Sequence, residues 1–181
     1  IVSTNSKDIA RIAQSFGASV PFIRPDELAR DTSTTFSVLD HAIGFLNKQK
    51  RCFNYILCLE PTSPLTTESD IDLSIEKLIE NRAIADSIVG VSKVESAHPV
   101  FDARINKNGL ISPYQGNVFK FYRRQDIEDL YYFEGSLYLS DTDVLLKEKS
   151  FYHNRTLPFI VPRWKSLEID EIVDFICAEA I

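Results

Sequence analysis

The run FNYILCLE, residues 53–60, is apolar from Tyr55 to Leu59 and then breaks into the Pro/Ser/Thr loop PTSPLTTES. A strand with no polar alternation fits where both of its faces are covered, as in the interior of a mostly parallel sheet. The loop leads into a helical pattern with Ile71, Ile75, Leu78 and Ile79 in register, and DSIVGVSKV reads as the next strand. Upstream, IVST resembles the end of a buried strand. NSKDIARIAQSFG reads as a helix capped by Asn5 or Ser6, with Ile9, Ile12, Ala13 and Phe16 on one face and Gly17 at its end. Pro21 and Pro25 keep the following connection irregular. A second helix starts at Thr34 or Thr35, with Phe36, Leu39, Ile43 and Leu46 as its stripe. The succession strand, helix, helix, strand, helix, strand predicts a doubly wound α/β sheet.

The middle of the chain changes character. ARINKNGLI signals a hairpin, with Asn108-Gly109 suited to a type I′ turn. Residues 112–134 are aromatic and charged without a clear period. A strand at GSLYLSD, a short helix from Asp141, a strand at LPFIV and a helix after Asp170 complete the pattern. No internal repeat or linker divides residues 1–181, which read as one domain. Residues 98–134 form an arm within it. Its Phe119, Phe121, Tyr122, Tyr131 and Tyr132 are hard to bury in one small sheet and point to contact with a second subunit.

Charge excludes some functions. With 20 basic and 26 acidic residues the net charge is −6, against the basic surface of a nucleic-acid binder. No apolar run is long enough to cross a bilayer and no signal peptide is seen, so a cytoplasmic setting is expected. Cys52, Cys58 and Cys177 lack C-x-x-C spacing and sit among apolar neighbours, the pattern of reduced core thiols. Asn154-Arg155-Thr156 matches a glycosylation sequon by chance. The absence of Met and the opening IVST suggest a fragment, or a sequence from which modified methionines were left out.

Chemistry is expected outside the carboxyl ends of the strands. Glu60 closes one buried strand. Glu168 and Asp170, one residue apart before the last helix, would share one side of a strand. Asp170 also suits the N-cap of that helix, and Glu60 a solvated strand end. Together the three offer the hard oxygen set that Mg²⁺ takes beside a phosphate substrate. His41, His98 and His153 have no metal spacing, no G-x-S-x-G elbow is present, and no glycine loop cradles phosphate.

VSTNSKDIARIAQSFGASVPFIRPDELARDTSTT, LEPTSPLTTESDID, RRQDIEDLYYFEGSLYL and SLEIDEIVDF stand in the order seen in acylneuraminate cytidylyltransferases, which the chain resembles along nearly its whole length. The resemblance implies a three-layer α/β/α nucleotidyltransferase sheet of the nucleotide-diphospho-sugar transferase type, with a β-hairpin arm and a homodimer. It implies transfer of CMP from CTP to the anomeric hydroxyl of a nine-carbon 2-keto sugar acid, with Mg²⁺ and release of pyrophosphate, in nucleotide-sugar biosynthesis for lipopolysaccharide or capsule. Arg24, Thr35 and Glu60 fall near the nucleotide. Arg124, Gln125 and Glu134 fall at the sugar acid, where an Arg fork suits a carboxylate. Glu168 and Asp170 fall at the paired metal aspartates. Lys120, Arg123 and Arg124 also read as a solvated basic loop.

The departures from the family pattern are specific. Glu60 stands where the family has Gln, Thr66 where it has Arg, Glu134 where it has Asn, and Glu168 where it has Asp. The family's N-terminal strand and phosphate-wrapping loop have no counterpart. Residues 1–181 alone are therefore expected to bind CTP poorly and not turn it over. Two rival readings stand beside the main one. One is a nucleotidyltransferase for a legionaminate, pseudaminate or Kdo analogue; the other is a non-catalytic remnant that binds a nucleotide or a partner.

Overall fold

A computed structural model describes residues 1–95, 98–116 and 123–181, without the side chain of Arg124. Lys120 and the arm aromatics Phe119, Phe121 and Tyr122 lie outside the described residues. The chain gathers into two compact clusters, residues 1–55 with 141–150 and residues 56–140 with 151–181.

The first cluster holds α1 (Lys7–Ser15), α2 (Thr35–Lys48) and α4 (Thr142–Glu148). Each begins where a short polar side chain takes the orphan N–H groups of the first turn. Ser6 accepts from Ile9 N–H, Thr34 from Ser37 N–H, and Asp141 from Asp143 and Val144 N–H. Ala10, Ala42, Ile43, Leu46 and Leu145 form the buried centre. The stripe read on α1 is not a buried face: Ala10 is its buried residue, while Ile9, Ile12 and Phe16 are exposed. IVST is extended rather than a strand, tied by Val2 N–H to Ser19 O (2.9 Å) and by Arg24 N–H to Thr4 O (2.8 Å).

The second cluster is built on a four-stranded sheet. Its strands are β1 (Tyr55–Leu59), β2 (Ser87–Lys93), β5 (Tyr131–Asp141) and β6 (Thr156–Ile160), in the order β1-β5-β2-β6. β2 runs antiparallel to β5 and parallel to β6, so the sheet is mixed rather than mostly parallel. β1 is the outermost strand at one end and only half-buried, not covered on both faces as its composition predicts. Leu78 of α3 (Glu68–Glu80) and Ile88, Val89, Leu137 and Leu139 of the sheet are core residues, each at most 2% exposed. Burial at that level contributes about 1.5–3 kcal/mol per large side chain. A capping box between Thr67 and Asp70 starts α3, and another between Glu171 and Asp174 starts α5 (Ile172–Ala180).

Two smaller expectations are corrected. The hairpin of β3 (Ala103–Ile105) and β4 (Ile111–Pro113) is present, but its turn is not type I′. Gly109 alone has positive φ (76°), and the loop closes on Asn106, whose Oδ1 accepts from Asn108 and Leu110 N–H. The Asx side chain supplies the turn that a two-residue loop would otherwise make. Cys52 and Cys177 are exposed rather than core thiols, and all three cysteines are free.

Candidate functional site

The site is assembled where β1 ends. Glu60 follows Leu59, and its backbone carbonyl accepts from Ser63 N–H (3.1 Å), which curls the PTSPL loop. Residues 166–169 are not a strand, so same-side alternation is not what brings Glu168 and Asp170 together. Instead Ile169 N–H donates to Thr62 O (2.8 Å), docking the Glu168–Asp170 segment on the loop that carries Glu60. Asp170 is not the helix cap. Glu171 takes that position, and Asp170 contributes only its backbone N–H, donated to Asp174 Oδ2 (3.1 Å).

Burial, the charge of Asp170 and then that of Glu60 push the Glu168 carboxyl above its ordinary pKa. No ion pair to Glu60, Glu168 or Asp170 occurs among the described residues. The nearby cation Lys165 is committed elsewhere: its Nζ donates to Asp70 Oδ2 (2.6 Å) and Thr67 Oγ1 (3.2 Å). Burial opposes the Asp70 charge, but the bonds from Lys165 and Thr67 win and hold that carboxyl below its usual range. The carboxylates are thus left without a paired base among the described residues, which favours an added cation. Among the described residues no group of three or more His, Cys, Asp or Glu is arranged to hold a metal, so the pair can supply only part of a coordination shell.

Three neighbours were not anticipated. Burial and then Glu60 push the Cys58 thiol up to about 12, so it stays a neutral thiol, 4.0 Å from Glu60 Oε1. Tyr138 is raised by burial, by its bond with Tyr152 and by the charges of Glu60 and Glu168, keeping a neutral phenol beside the carboxylates. Ser63, 5% exposed, has a buried Oγ with no partner among the described residues. The T-S-P run was the available signal, but it reads first as loop chemistry.

Glu134 is almost wholly buried, at 1% exposure, and does not present its carboxylate to open space. Val89 pairs with Tyr138 and Val91 with Phe133, so residues 134–137 stand opposite Gly90 alone in a wide bulge. Glu134 Oε1 accepts from Ser136 Oγ and from Ser136 N–H (3.3 Å), while Oε2 has no partner among the described residues. Burial raises the Glu134 pKa; the bonds from Ser136 offset part of this, and the charges of Glu168 and Asp70 add to it. A carboxyl raised in the folded state gives stability fully present below about pH 4.3, its unfolded value, and lost as pH rises through the folded one. Glu134→Gln keeps the acceptor for Ser136 without the buried charge. Its melting temperature should exceed wild type at pH 7–8, with the gap closing by about pH 4. An equal gap at both pH values would count against a buried charge.

The other expected residues are placed individually. Arg24 and Thr35 belong to the first cluster. Arg24 has a buried Nε without a partner among the described residues, and Thr35 is the exposed first residue of α2. Gln125 is exposed in the short 3-10 turn Arg124–Asp126. Arg123 is paired with Asp126 at 2.7 Å and 73% exposed, in line with a solvated loop. The buried Ser87–His153 contact (3.0 Å) is structural. His153 Nδ1 accepts from Arg155 N–H, so Nε2 carries the proton and cannot activate the Ser87 hydroxyl.

Comparison with known proteins bears on the family and the fold. The sequence model of a family described as cytidylyltransferase matches residues 1–179. The CMP-N,N'-diacetyllegionaminic acid synthase of Legionella pneumophila is 30% identical over 188 aligned positions, covering all of this chain and 76% of the relative. A pseudaminic acid cytidylyltransferase of Campylobacter jejuni is 26% identical, covering 96% of this chain and 73% of the relative. The N-acylneuraminate cytidylyltransferase of Streptococcus agalactiae is 33% identical, covering 97% of this chain and 40% of the relative. A solved CMP:2-keto-3-deoxy-manno-octonic acid synthetase complexed with CTP superposes with a TM-score of 0.63 at 13% identity, covering 99% of this chain and 80% of that one. The fold class expected from the sequence, α/β on a nucleotidyltransferase plan, is the class of this neighbour.

Proposed function

The chain belongs to the cytidylyltransferase family, and from that premise we propose that it transfers CMP from CTP to the anomeric hydroxyl of a sialic-acid-like 2-keto sugar acid, releasing pyrophosphate. The observation that carries the reading is the docking of the segment bearing Glu168 and Asp170 on the loop after Glu60, through the Ile169–Thr62 bond, with no ion pair to these carboxylates among the described residues. Such an arrangement suits a reaction whose substrate brings both negative charge and a metal.

Glu168 and Asp170 fit Mg²⁺ in kind, since both are hard oxygen donors, and they are the residues that would hold it. Held by Glu168 and Asp170, Mg²⁺ would supply positive charge to offset that of the phosphates and of the leaving pyrophosphate. The protein's own share is position. The resemblance assigns Arg24, Thr35 and Glu60 individually to the nucleotide, and Arg124 and Gln125 to the sugar acid, whose carboxylate Arg124 would receive by charge-assisted bonds. The neutral Tyr138 phenol adds a donor that does not deepen the negative charge of the site. The reading puts the reaction in the cytoplasm, where CTP is available. Among the described residues no helix is long and apolar enough to cross a membrane.

The test is pyrophosphate release with each of CTP, UTP and ATP against N-acetylneuraminate, legionaminate, pseudaminate and Kdo. CTP-selective release with one nine-carbon acid is expected. Release with Kdo alone would move the assignment to that sugar, and no CTP-dependent release with any acid would sink it.

The arm supports a homodimer. Phe101, Ile105, Leu110, Ile111 and Tyr114 are all exposed around the β3–β4 hairpin, an apolar patch unusual for a monomer. Light scattering at micromolar concentration is expected to give twice the chain mass; a monomer there would rule the arm out as an interface.

A further inference from the structure

Two glycines make room for two carboxylates. At Gly90 a methyl group would run into the Glu134 carboxylate, and it would lie 2.9 Å from Ser136 Oγ. Gly135 has φ +78°, and a methyl group on its Cα would lie 2.5 Å from Glu168 Oε1, 3.1 Å from Cδ and 3.5 Å from Oε2. The Glu168 carboxylate therefore lies over a bare Cα at the centre of the bulge.

We propose that Gly135 is the seat that orients the Glu168 carboxylate toward its metal, and that Glu134 is a positioning residue that holds the bulge presenting that seat. The inference rests on the metal reading of Glu168 and Asp170. The Glu168 side chain has no hydrogen bond or ion pair among the described residues, and one backbone bond, at Ile169, docks its segment. Something must still restrict a side chain with three rotatable bonds, and contact with the bulge does so. Glycine meets both demands at 135, a left-handed backbone and a Cα that a carboxylate can touch. Glu134 fills the Gly90 notch and is pinned by the N–H and hydroxyl of Ser136, which fixes the path of residues 134–136. Where the sequence resemblance implies an aspartate, this chain has the longer Glu168. The extra methylene carries the carboxylate onto the seat.

The experiment is a titration of the purified protein with Mn²⁺, a paramagnetic stand-in for Mg²⁺, followed by electron paramagnetic resonance. Gly135→Ala should weaken Mn²⁺ binding tenfold or more. In a Glu168→Asp background Gly135→Ala should cost little further binding, because the shorter carboxylate clears the methyl group. Backbone strain at position 135 is the same in both backgrounds, so that difference separates collision from misfolding. Glu134→Gln should bind Mn²⁺ like wild type and Glu134→Ala should weaken it, the conservative change keeping the acceptor for Ser136. Loss of binding in Glu168→Gln with undiminished binding in Gly135→Ala would overturn the seat while leaving the metal site standing. Undiminished binding in Glu168→Gln would instead overturn the metal reading, and the proposal with it.

Discussion

Asp170→Asn is expected to cut CMP-sugar formation on the order of 100-fold or more while leaving the melting temperature within a few degrees of wild type. The two halves of that expectation have separate causes. Activity falls because an amide is a poor ligand for a hard cation, and the pair it leaves has a single negative charge. Stability holds because Asp170 does not start α5: Glu171 occupies the N-cap, and Asp174 closes the box through its side chain. The one bond Asp170 gives there comes from its backbone, which the substitution keeps. Removing its charge also relieves the repulsion felt by Glu168, so a small gain in stability is compatible with the reading. A variant that unfolds, or that turns over as wild type, would return Asp170 to a structural role.

That separation was not legible in the sequence. One residue, Asp170, satisfied the pattern of a helix cap and the pattern of a metal ligand, and spacing alone does not choose between them. Glu171 and Asp174 remove the cap reading, since their reciprocal bonds leave the Asp170 carboxylate out. Helix starts were easier to read. Ser6, Thr34 and Asp141 cap where the sequence places them, because a cap is decided within four residues. Strand environment was harder. FNYILCLE has an interior composition but stands at the end of the described sheet, since neighbours in a sheet come from elsewhere in the chain. β5 was half missed for a related reason. Four of its residues face Gly90, and a bulge of that size erases the alternation by which strands are recognised.

The candidate site shows the same division. Glu60, Glu168 and Asp170 were readable as carboxylates near one strand end, but Glu168 and Asp170 stand on an irregular segment that Ile169 N–H docks on the loop after Glu60. Glu134 was readable as an anomaly in a sugar-contact strand, but its burial was not. The partner that admits it, Gly90, lies 44 positions earlier on another strand, and nothing in either local sequence announces the meeting.

Gly90→Ala is accordingly expected to destabilise the protein, against the usual sign for such a change. Local propensity alone would favour alanine in a strand interior by about 0.5–1 kcal/mol, because glycine loses more backbone freedom on folding. At position 90 the added methyl group meets Glu134 Oε1 and Cδ and Ser136 Oγ. These atoms cannot swing into solvent: Glu134 is 1% exposed and Ser136 is 3% exposed, and the two are bonded to each other. On its other edge Gly90 pairs with Phe159 of β6, between the buried Val89 and Val91, so β2 has little freedom to shift. Overpacking of this kind costs about 1–3 kcal/mol, which exceeds the propensity gain. For a chain of this size that is a fall of about 2–4 °C in melting temperature per kcal/mol. The severest collision is with Glu134, so most of it should be reversible: Glu134→Ala in the Gly90→Ala background should recover stability that Glu134→Ala alone does not add. Urea denaturation of the two single variants and the double variant measures that coupling directly. A Gly90→Ala protein as stable as wild type, or two effects that simply add, would mean that the Glu134 carboxylate does not occupy the notch.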